Sequence, residues 1–313
     1  MTLSFKEDHI SQIPALMMLE KVGYTYLTPA EAMELRGGNT SNVLLEPILR
    51  EQLAKINTVQ VSSQRTTVFS EQNITAGIEA LRNLPMAEGF MTASQVAYDL
   101  LTAGKTLEQI VDGDKKSYVM QYIDWKHIEN NAFHVTEEFA VSRTGMSDTY
   151  RPDIVLFVNG IPLCVIECKR PDIKDSLKQA ISQHLRNQKE DGIRSLYVYS
   201  ALLLATNVNE VSYATTATPE KFWSKWTEQF ADKNAEELYR YKLAEKVNEK
   251  RINPKMFSER YSYVRTDIEK KYDAPLTPSV QDAYIYNLCR PERLLGLMYG
   301  FTLYDEGIKK VAR

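Results

Sequence analysis

The chain has little cysteine, no long apolar run and no surplus of basic residues, and each shortage removes a class of protein. Its three cysteines, Cys164, Cys168 and Cys289, are too few and too poorly spaced for a disulfide framework or a tetrahedral zinc site. A reduced, cytoplasmic setting is therefore expected. The four histidines, His9, His127, His134 and His184, show no mutual spacing that suggests zinc, and His184 reads as a surface residue. The most apolar stretch, Ile154 to Cys168, is interrupted by Asn159, Gly160 and Pro162 and cannot span a bilayer. The opening MTLSFKEDHI lacks a basic n-region and an apolar h-region, so no signal peptide is expected. No Gly-rich loop followed by Lys-Ser/Thr occurs, which removes ATP binding by that route. Internal repeats and low-complexity tracts are absent too. Lys and Arg number 38 against 41 Asp and Glu, a formal net charge of −3. That argues against a generally basic surface and leaves room for a local basic stripe that engages phosphates.

What is present is an ordinary globular balance, 43% hydrophobic and 25% charged over 313 residues. This length fits one large domain with an appendage, or two domains. The first third reads as helices over residues 8–22, 42–56 and 74–81, while 58–69 and 90–101 are mixed. From about Trp125 the period changes to two. Residues 134–143 read as a strand, and Asp153–Val158 and Ile161–Cys168 read as two continuously apolar strands joined by Asn159-Gly160, a strong hairpin signal. Apolar on each face, they belong inside a sheet covered on both sides. A helix is expected over about 172–189, strands over 195–206 and 211–216, and a helix opening at Thr218-Pro219-Glu220. Beyond about Ala231 the strand signal disappears, and 233–250 and 281–313 read as helical. The fold class expected is α/β (α+β), a mixed central sheet flanked by helices. The division expected is 1–230, with a helical part to about 125 and a core over 126–230, followed by a helical segment 231–313. The ending at Arg313 carries no terminating signal and suggests a piece of something longer.

An acidic residue two before a lysine occurs five times, at Asp114/Lys116, Asp124/Lys126, Glu167/Lys169, Asp172/Lys174 and Glu269/Lys271, so the spacing alone carries little. Context separates one case. Glu167 and Lys169 end an apolar strand and project from one face, while Asp153 opens the partner strand across the tight turn. Residue 153 then pairs with 166 to 167, which makes the two carboxylates neighbours. Two carboxylates at the edge of a covered sheet repel and lose solvation unless a cation joins them. Oxygen ligands favour Mg²⁺ or Mn²⁺, which would polarise a phosphodiester and activate water, with Lys169 stabilising charge on phosphate. A structural ion pair between Glu167 and Lys169 is the alternative at this stage. Lys169, Arg170, Lys174, Lys178, Arg186 and Lys189 make a candidate phosphate-contacting stripe, or else a solvated helix face. Cys164 and Cys168 alternate with the acidic face and should point into the opposite core.

The run Arg151–Pro162, with its Asn-Gly turn, and Ile166–Pro171 together resemble the N-terminal nuclease region of the R subunits of type I restriction enzymes, members of the PD-(D/E)xK nuclease superfamily. Pro14–Tyr24, Leu44–Ile48, Asn131–Phe133, Ala201–Asn207 and Phe222-Trp223 are also similar to that family, and Ile308–Arg313 looks like the segment before its helicase motor. The resemblance implies an Mg²⁺-dependent DNA endonuclease without intrinsic sequence specificity, in which Asp153 and Glu167 hold metal and Lys169 assists. It implies double-stranded DNA and the modification and specificity subunits as partners, no membrane, and ATP only in the full-length subunit. The family's Q-x-x-x-Y motif falls on Gln183, to which it gives a supporting catalytic part, but Asn187 stands where tyrosine is expected. A further glutamate from an upstream helix often joins such sites, and Glu7, Glu20 and Glu46 are the candidates. Two other readings stay open: a stand-alone repair or junction nuclease, and a catalytically silent assembly or DNA-binding module.

Overall fold

The apolar run from Ile154 to Cys168 becomes the middle of a six-stranded mixed sheet. We describe it from a computed structural model covering residues 11–62, 65–258, 260–305 and 307–311. The strands are β1 (Thr25–Tyr26), β2 (Phe133–Glu137), β3 (Ile154–Val158), β4 (Ile161–Cys168), β5 (Leu202–Thr206) and β6 (Val211–Ala214), neighbours in chain order. The pairs β1/β2 and β4/β5 are parallel, and the other three are antiparallel. Every residue of β3, β4, β5 and β6 is buried, as strands covered on both faces require.

The β3/β4 hairpin turns at Asn159-Gly160, both with positive φ (51° and 80°) as a two-residue turn of this kind demands. Near the turn Val158 faces Ile161 and Phe157 faces Pro162, but further along Leu156 faces Cys164 and Ile154 faces Ile166. One extra residue on β4, around Leu163, forms a bulge that shifts the register by one. Continued, the shifted register sets Asp153 level with Glu167; unshifted, it would set Asp153 against Ile166, with Glu167 on the other face.

Helices cover both faces. They include α1 (Ile13–Lys21), α2 (Glu46–Ile56), α3 (Glu71–Arg82), α4 (Phe90–Ala103), α5 (Ser176–Asn187), α6 (Lys233–Asn248) and α7 (Pro291–Phe301). The parallel β4/β5 pair needs a crossover, and α5 supplies it, packing Ala180 and Ile181 onto Ala205 of β5. Among the described residues no helix is long and apolar enough to cross a membrane. The stretches that read as mixed resolve into a hairpin, Thr58–Ser62 with Arg65–Val68, and into α4; a second hairpin pairs Lys105–Val111 with Asp114–Met120. The beginning of the first expected helix, residues 8–10, lies outside the described residues.

Four expectations fail locally. The strand expected over 134–143 stops at Glu137, because Glu138 takes positive φ (47°) and the chain leaves the sheet. The start of 195–206 is a helical turn, Arg194–Tyr197, since the chain doubles back after α5 through Ile193 N–H to Asn187 C=O (2.7 Å). The helix expected from Pro219 is one turn, Glu220–Phe222, because Ser224 instead bridges to Tyr213 of β6. Strands also return near the end: Thr302–Asp305 pairs with Ile308–Val311, anchored by Tyr304 Oη to Ser94 C=O (2.9 Å) and Lys309 Nζ to Ser200 C=O (2.8 Å). Here tertiary contacts override the local helical composition.

Residues beyond 231 share the core of the sheet, with Leu243, Phe257, Tyr261, Leu288 and Leu294 buried in one continuous cluster with β3 and β4. A buried carboxylate helps hold them. Glu137 on β2 accepts hydrogen bonds from Tyr26 Oη (2.8 Å) and from Tyr261 Oη. Burial raises its pKa, outweighing both donors. The fold thus favours protonated Glu137, a stabilisation complete below the ordinary carboxylate range and lost as pH rises through the raised value. Thermal unfolding of Glu137→Gln against the parent from pH 4 to 8 should show that downward drift removed; an identical pH slope in the two proteins would refute the assignment.

Candidate active site

Asp153, Glu167 and Lys169 meet where β3 begins and β4 ends. The Asp153 carboxylate accepts the Cys168 backbone N–H (2.7 Å), and its carbonyl accepts from Gln12 Nε2 at the head of α1 (2.9 Å). Lys169 Nζ lies 3.6 Å from Asp153 Oδ2 and donates to the Cys168 carbonyl at 2.8 Å. The Lys169 backbone is held in turn by Thr206 C=O (2.8 Å), beside a buried Gln281 that accepts from both Thr206 and Ser11 hydroxyls. The C-terminal part of the chain therefore helps support the end of β4.

Glu167 is fully buried on the face covered by α5, directly beside Ala205. Gln183 Nε2 donates to one of its oxygens (2.5 Å) and Asn187 Nδ2 to the other (3.3 Å). One turn apart on α5, these amides reach the same carboxylate because i and i+4 share a helix face. Burial, then the adjacent Asp153 charge, push the Glu167 carboxyl well above the ordinary range. The Lys169 ammonium offsets this only in part, and without a further cation the two acids cannot both ionise at low cost.

Asn187 does not leave the site without a tyrosine. The hydroxyl of Tyr197, ten residues on, lies 3.4 Å from Asn187 Nδ2 and 3.0 Å from His184 Nδ1. His184 is completely buried, against its reading as a surface residue. Its spacing from Ala180 and Ile181 puts it on the inward face of α5, a helical signal outweighed by the usual exposure of histidine. Tyr197 and Gln12 carried no comparable signal, since each reaches the site through the fold alone.

Of the upstream glutamates, the two described ones, Glu20 and Glu46, are not at the site. Glu7 lies outside the described residues. Glu20 bonds Asn253 Nδ2 (2.5 Å) and sits eight residues, about 12 Å, along α1 from Gln12. Glu46 pairs with Arg82 (2.5 Å) beside the Gly160 turn, which seven strand residues, about 23 Å, separate from Glu167. The basic residues divide. Lys174, Lys178, Arg186 and Lys189 are exposed, whereas Arg170 pairs with Asp172. The Arg186 and Arg143 guanidiniums both lie over one ring, each within 4.5 Å of the Tyr150 centroid. Cys164 and Cys168 are buried on the face away from α5, as their alternation requires.

Among the described residues no three His, Cys, Asp or Glu side chains cluster as metal ligands. The donors at hand are the Asp153 and Glu167 carboxylates and the Cys168 carbonyl. Such a set suits Mg²⁺, which typically takes one or two carboxylates and completes its shell with water and substrate phosphate.

Comparison with known proteins gives a consistent family. Residues 4–222 match the family model described as type I restriction enzyme R protein N terminus. The chain is 25% identical over 221 residues to the putative type I restriction enzyme MjaIXP endonuclease subunit of Methanocaldococcus jannaschii, covering 70% of this chain and 20% of that protein. It is 29% identical over 208 residues to the type I restriction enzyme HindI endonuclease subunit of Haemophilus influenzae, covering 64% and 18%. It is 24% identical over 219 residues to the type I restriction enzyme EcoprrI endonuclease subunit of Escherichia coli, covering 69% and 61%. The chain thus spans about a fifth of the first two relatives. With its mixed sheet and its acidic pair beside a lysine, it belongs to the family of type I restriction enzyme R protein N termini.

Proposed function

We propose that this chain is the Mg²⁺-dependent DNA-cleaving region of a type I restriction enzyme R subunit. The observation that carries the reading is the convergence of Asp153, Glu167 and Lys169, with Lys169 Nζ 3.6 Å from Asp153 Oδ2 and Glu167 held by two amides on the same face. Asp153 and Glu167 hold Mg²⁺, or Mn²⁺ in its place. The ion, when bound, supplies positive charge to the phosphodiester and lowers the pKa of water. Lys169 adds a fixed ammonium beside Asp153 and stabilises charge developing on phosphate. Gln183 orients Glu167. Exposed Lys174, Lys178 and Lys189 on and around α5 attract the phosphate backbone, a contact that carries no base information. Cleavage is accordingly unspecific in sequence, and recognition belongs to the specificity subunit, with the modification subunit as the other partner. ATP serves the motor of the full-length subunit.

Calorimetric titration of the chain with Mn²⁺ tests the metal assignment. Binding should appear at micromolar to millimolar metal and vanish in Asp153→Ala and Glu167→Ala. A parent chain that binds DNA but no divalent ion would favour a catalytically silent module instead. Cleavage by the chain on its own, without motor or partner subunits, would favour a stand-alone nuclease.

A further inference from the structure

We propose that His184, Tyr197 and Asn187 form a buried positioning relay that turns the Asn187 amide N–H toward Glu167 and so holds that carboxylate ready for metal. The inference rests on the metal-site reading above and concerns groups that do not themselves touch the metal or the DNA.

The order of the relay follows from donor and acceptor chemistry, starting at its far end. His184 Nε2 lies 2.9 Å from the Leu204 carbonyl of β5. A carbonyl only accepts, so Nε2 carries the proton. Burial holds the ring neutral, its pKa lowered to about 4, so Nδ1 keeps its lone pair. That lone pair faces the Tyr197 hydroxyl at 3.0 Å, so the hydroxyl proton is committed to Nδ1. The Tyr197 oxygen then has only acceptor capacity left for Asn187. Asn187 meets it with Nδ2 at 3.4 Å and directs the same nitrogen to Glu167 Oε1 at 3.3 Å. At the other end of the amide, Arg186 donates to Oδ1 through Nε (3.3 Å) and Nη2 (3.0 Å).

Flipping the amide would set Oδ1 against both the Glu167 carboxylate and the committed tyrosine oxygen, and set the amide nitrogen against a guanidinium. Every contact would then oppose like with like. The orientation is thus fixed from both sides, and Glu167 receives an N–H on each oxygen, from Asn187 and Gln183. Neutral donors of this kind support the ionised carboxylate without competing with a cation for its charge.

The test separates positioning from simple stability. Mn²⁺ affinity is measured by calorimetry on the chain, on Tyr197→Phe, on Asn187→Ala and on Tyr122→Phe, each at a temperature where circular dichroism shows it folded. Tyr122 is an equally buried tyrosine whose hydroxyl donates to Gly77 C=O (2.7 Å), away from the acids. Tyr197→Phe and Asn187→Ala should each weaken Mn²⁺ binding by about tenfold or more, as loss of a group orienting a metal ligand does. Tyr122→Phe should lose stability and keep the parental affinity. Parental affinity within twofold in both relay variants overturns the relay while leaving the metal site standing. A parent chain that binds no Mn²⁺ overturns both. Should the relay variants not fold, ring ¹⁵N shifts of His184 in the parent decide: the Nε2–H tautomer is expected, and the Nδ1–H tautomer overturns the order of donors.

Discussion

In a complete type I restriction complex carrying this chain, Asp153→Ala, Glu167→Ala or Lys169→Ala should each reduce DNA cleavage on the order of a thousandfold or more, while ATP hydrolysis continues at the parental rate. On the proposed function the three side chains would serve the reacting phosphate, and ATP use would fall to a different part of the subunit. Gel-based cleavage and phosphate-release assays on the same preparations check both halves. Undiminished cutting by the Lys169 variant would sink its catalytic assignment. The Glu167→Gln variant separates function from folding. Because Glu167 is buried and its carboxyl raised by burial and by Asp153, its ionisation opposes the metal-free fold at neutral pH. A neutral amide removes that opposition. In EDTA at pH 7.5 Glu167→Gln should therefore unfold a few degrees above the parent, although it cuts no DNA. A lower melting temperature would mean that the charge is better compensated in the metal-free protein than its surroundings indicate.

Gly160→Val should destabilise the chain by about 3 kcal/mol or more, enough to unfold a marginal domain. Gly160 has φ +80°, and a Cβ there would lie 2.5 Å from the Leu45 carbonyl oxygen and 3.1 Å from the Leu49 nitrogen. Both are backbone atoms at the start of α2, and the Gly160 carbonyl itself accepts the Leu45 N–H (2.9 Å). Neither side can yield without breaking the packing of helix on hairpin. Gly113 has a similar φ, +88°, but open space around it, so Gly113→Ala should cost only the conformational penalty of about 1 kcal/mol. Urea unfolding of the two variants checks the contrast; equal losses would show that close approach to α2 contributes nothing.

How much of this was legible beforehand differs from one part to another for physical reasons. The β3/β4 hairpin was readable because continuous burial and the Asn-Gly turn are local signals, and both act where they are written. The neighbourhood of Asp153 and Glu167 followed from turn geometry, though the exact partner, 166 or 167, depended on a bulge with no marker in the residues. Helix α4 gives a weak stripe because three of its four buried positions, Ala93, Ser94 and Ala97, are small, Leu101 being the fourth. The closing hairpin leaves no local signal because its strands are anchored by Ser94 and Ser200, about two hundred and one hundred residues away in sequence. Around Glu167, Gln183 and Asn187 were visible as an i, i+4 pair. For His184 the usual exposure of histidine outweighs its helical position, so the residues alone place it on the surface. Tyr197 falls within an expected strand but belongs to a helical turn that brings its hydroxyl back to Asn187 of α5.

The bulge at Leu163 makes the acidic pair a matter of parity. Fourteen positions separate Asp153 from Glu167, and a two-residue turn alone would match an odd separation of thirteen. The added residue corrects the count. It follows that changing the length of this hairpin by one residue should cost the site more than changing it by two. A single deletion sends one carboxylate to the cysteine side of the sheet, while a double one leaves both on the side covered by α5. The arm of a hairpin between two cooperating groups is thus constrained as an even or odd number, separately from what its residues are.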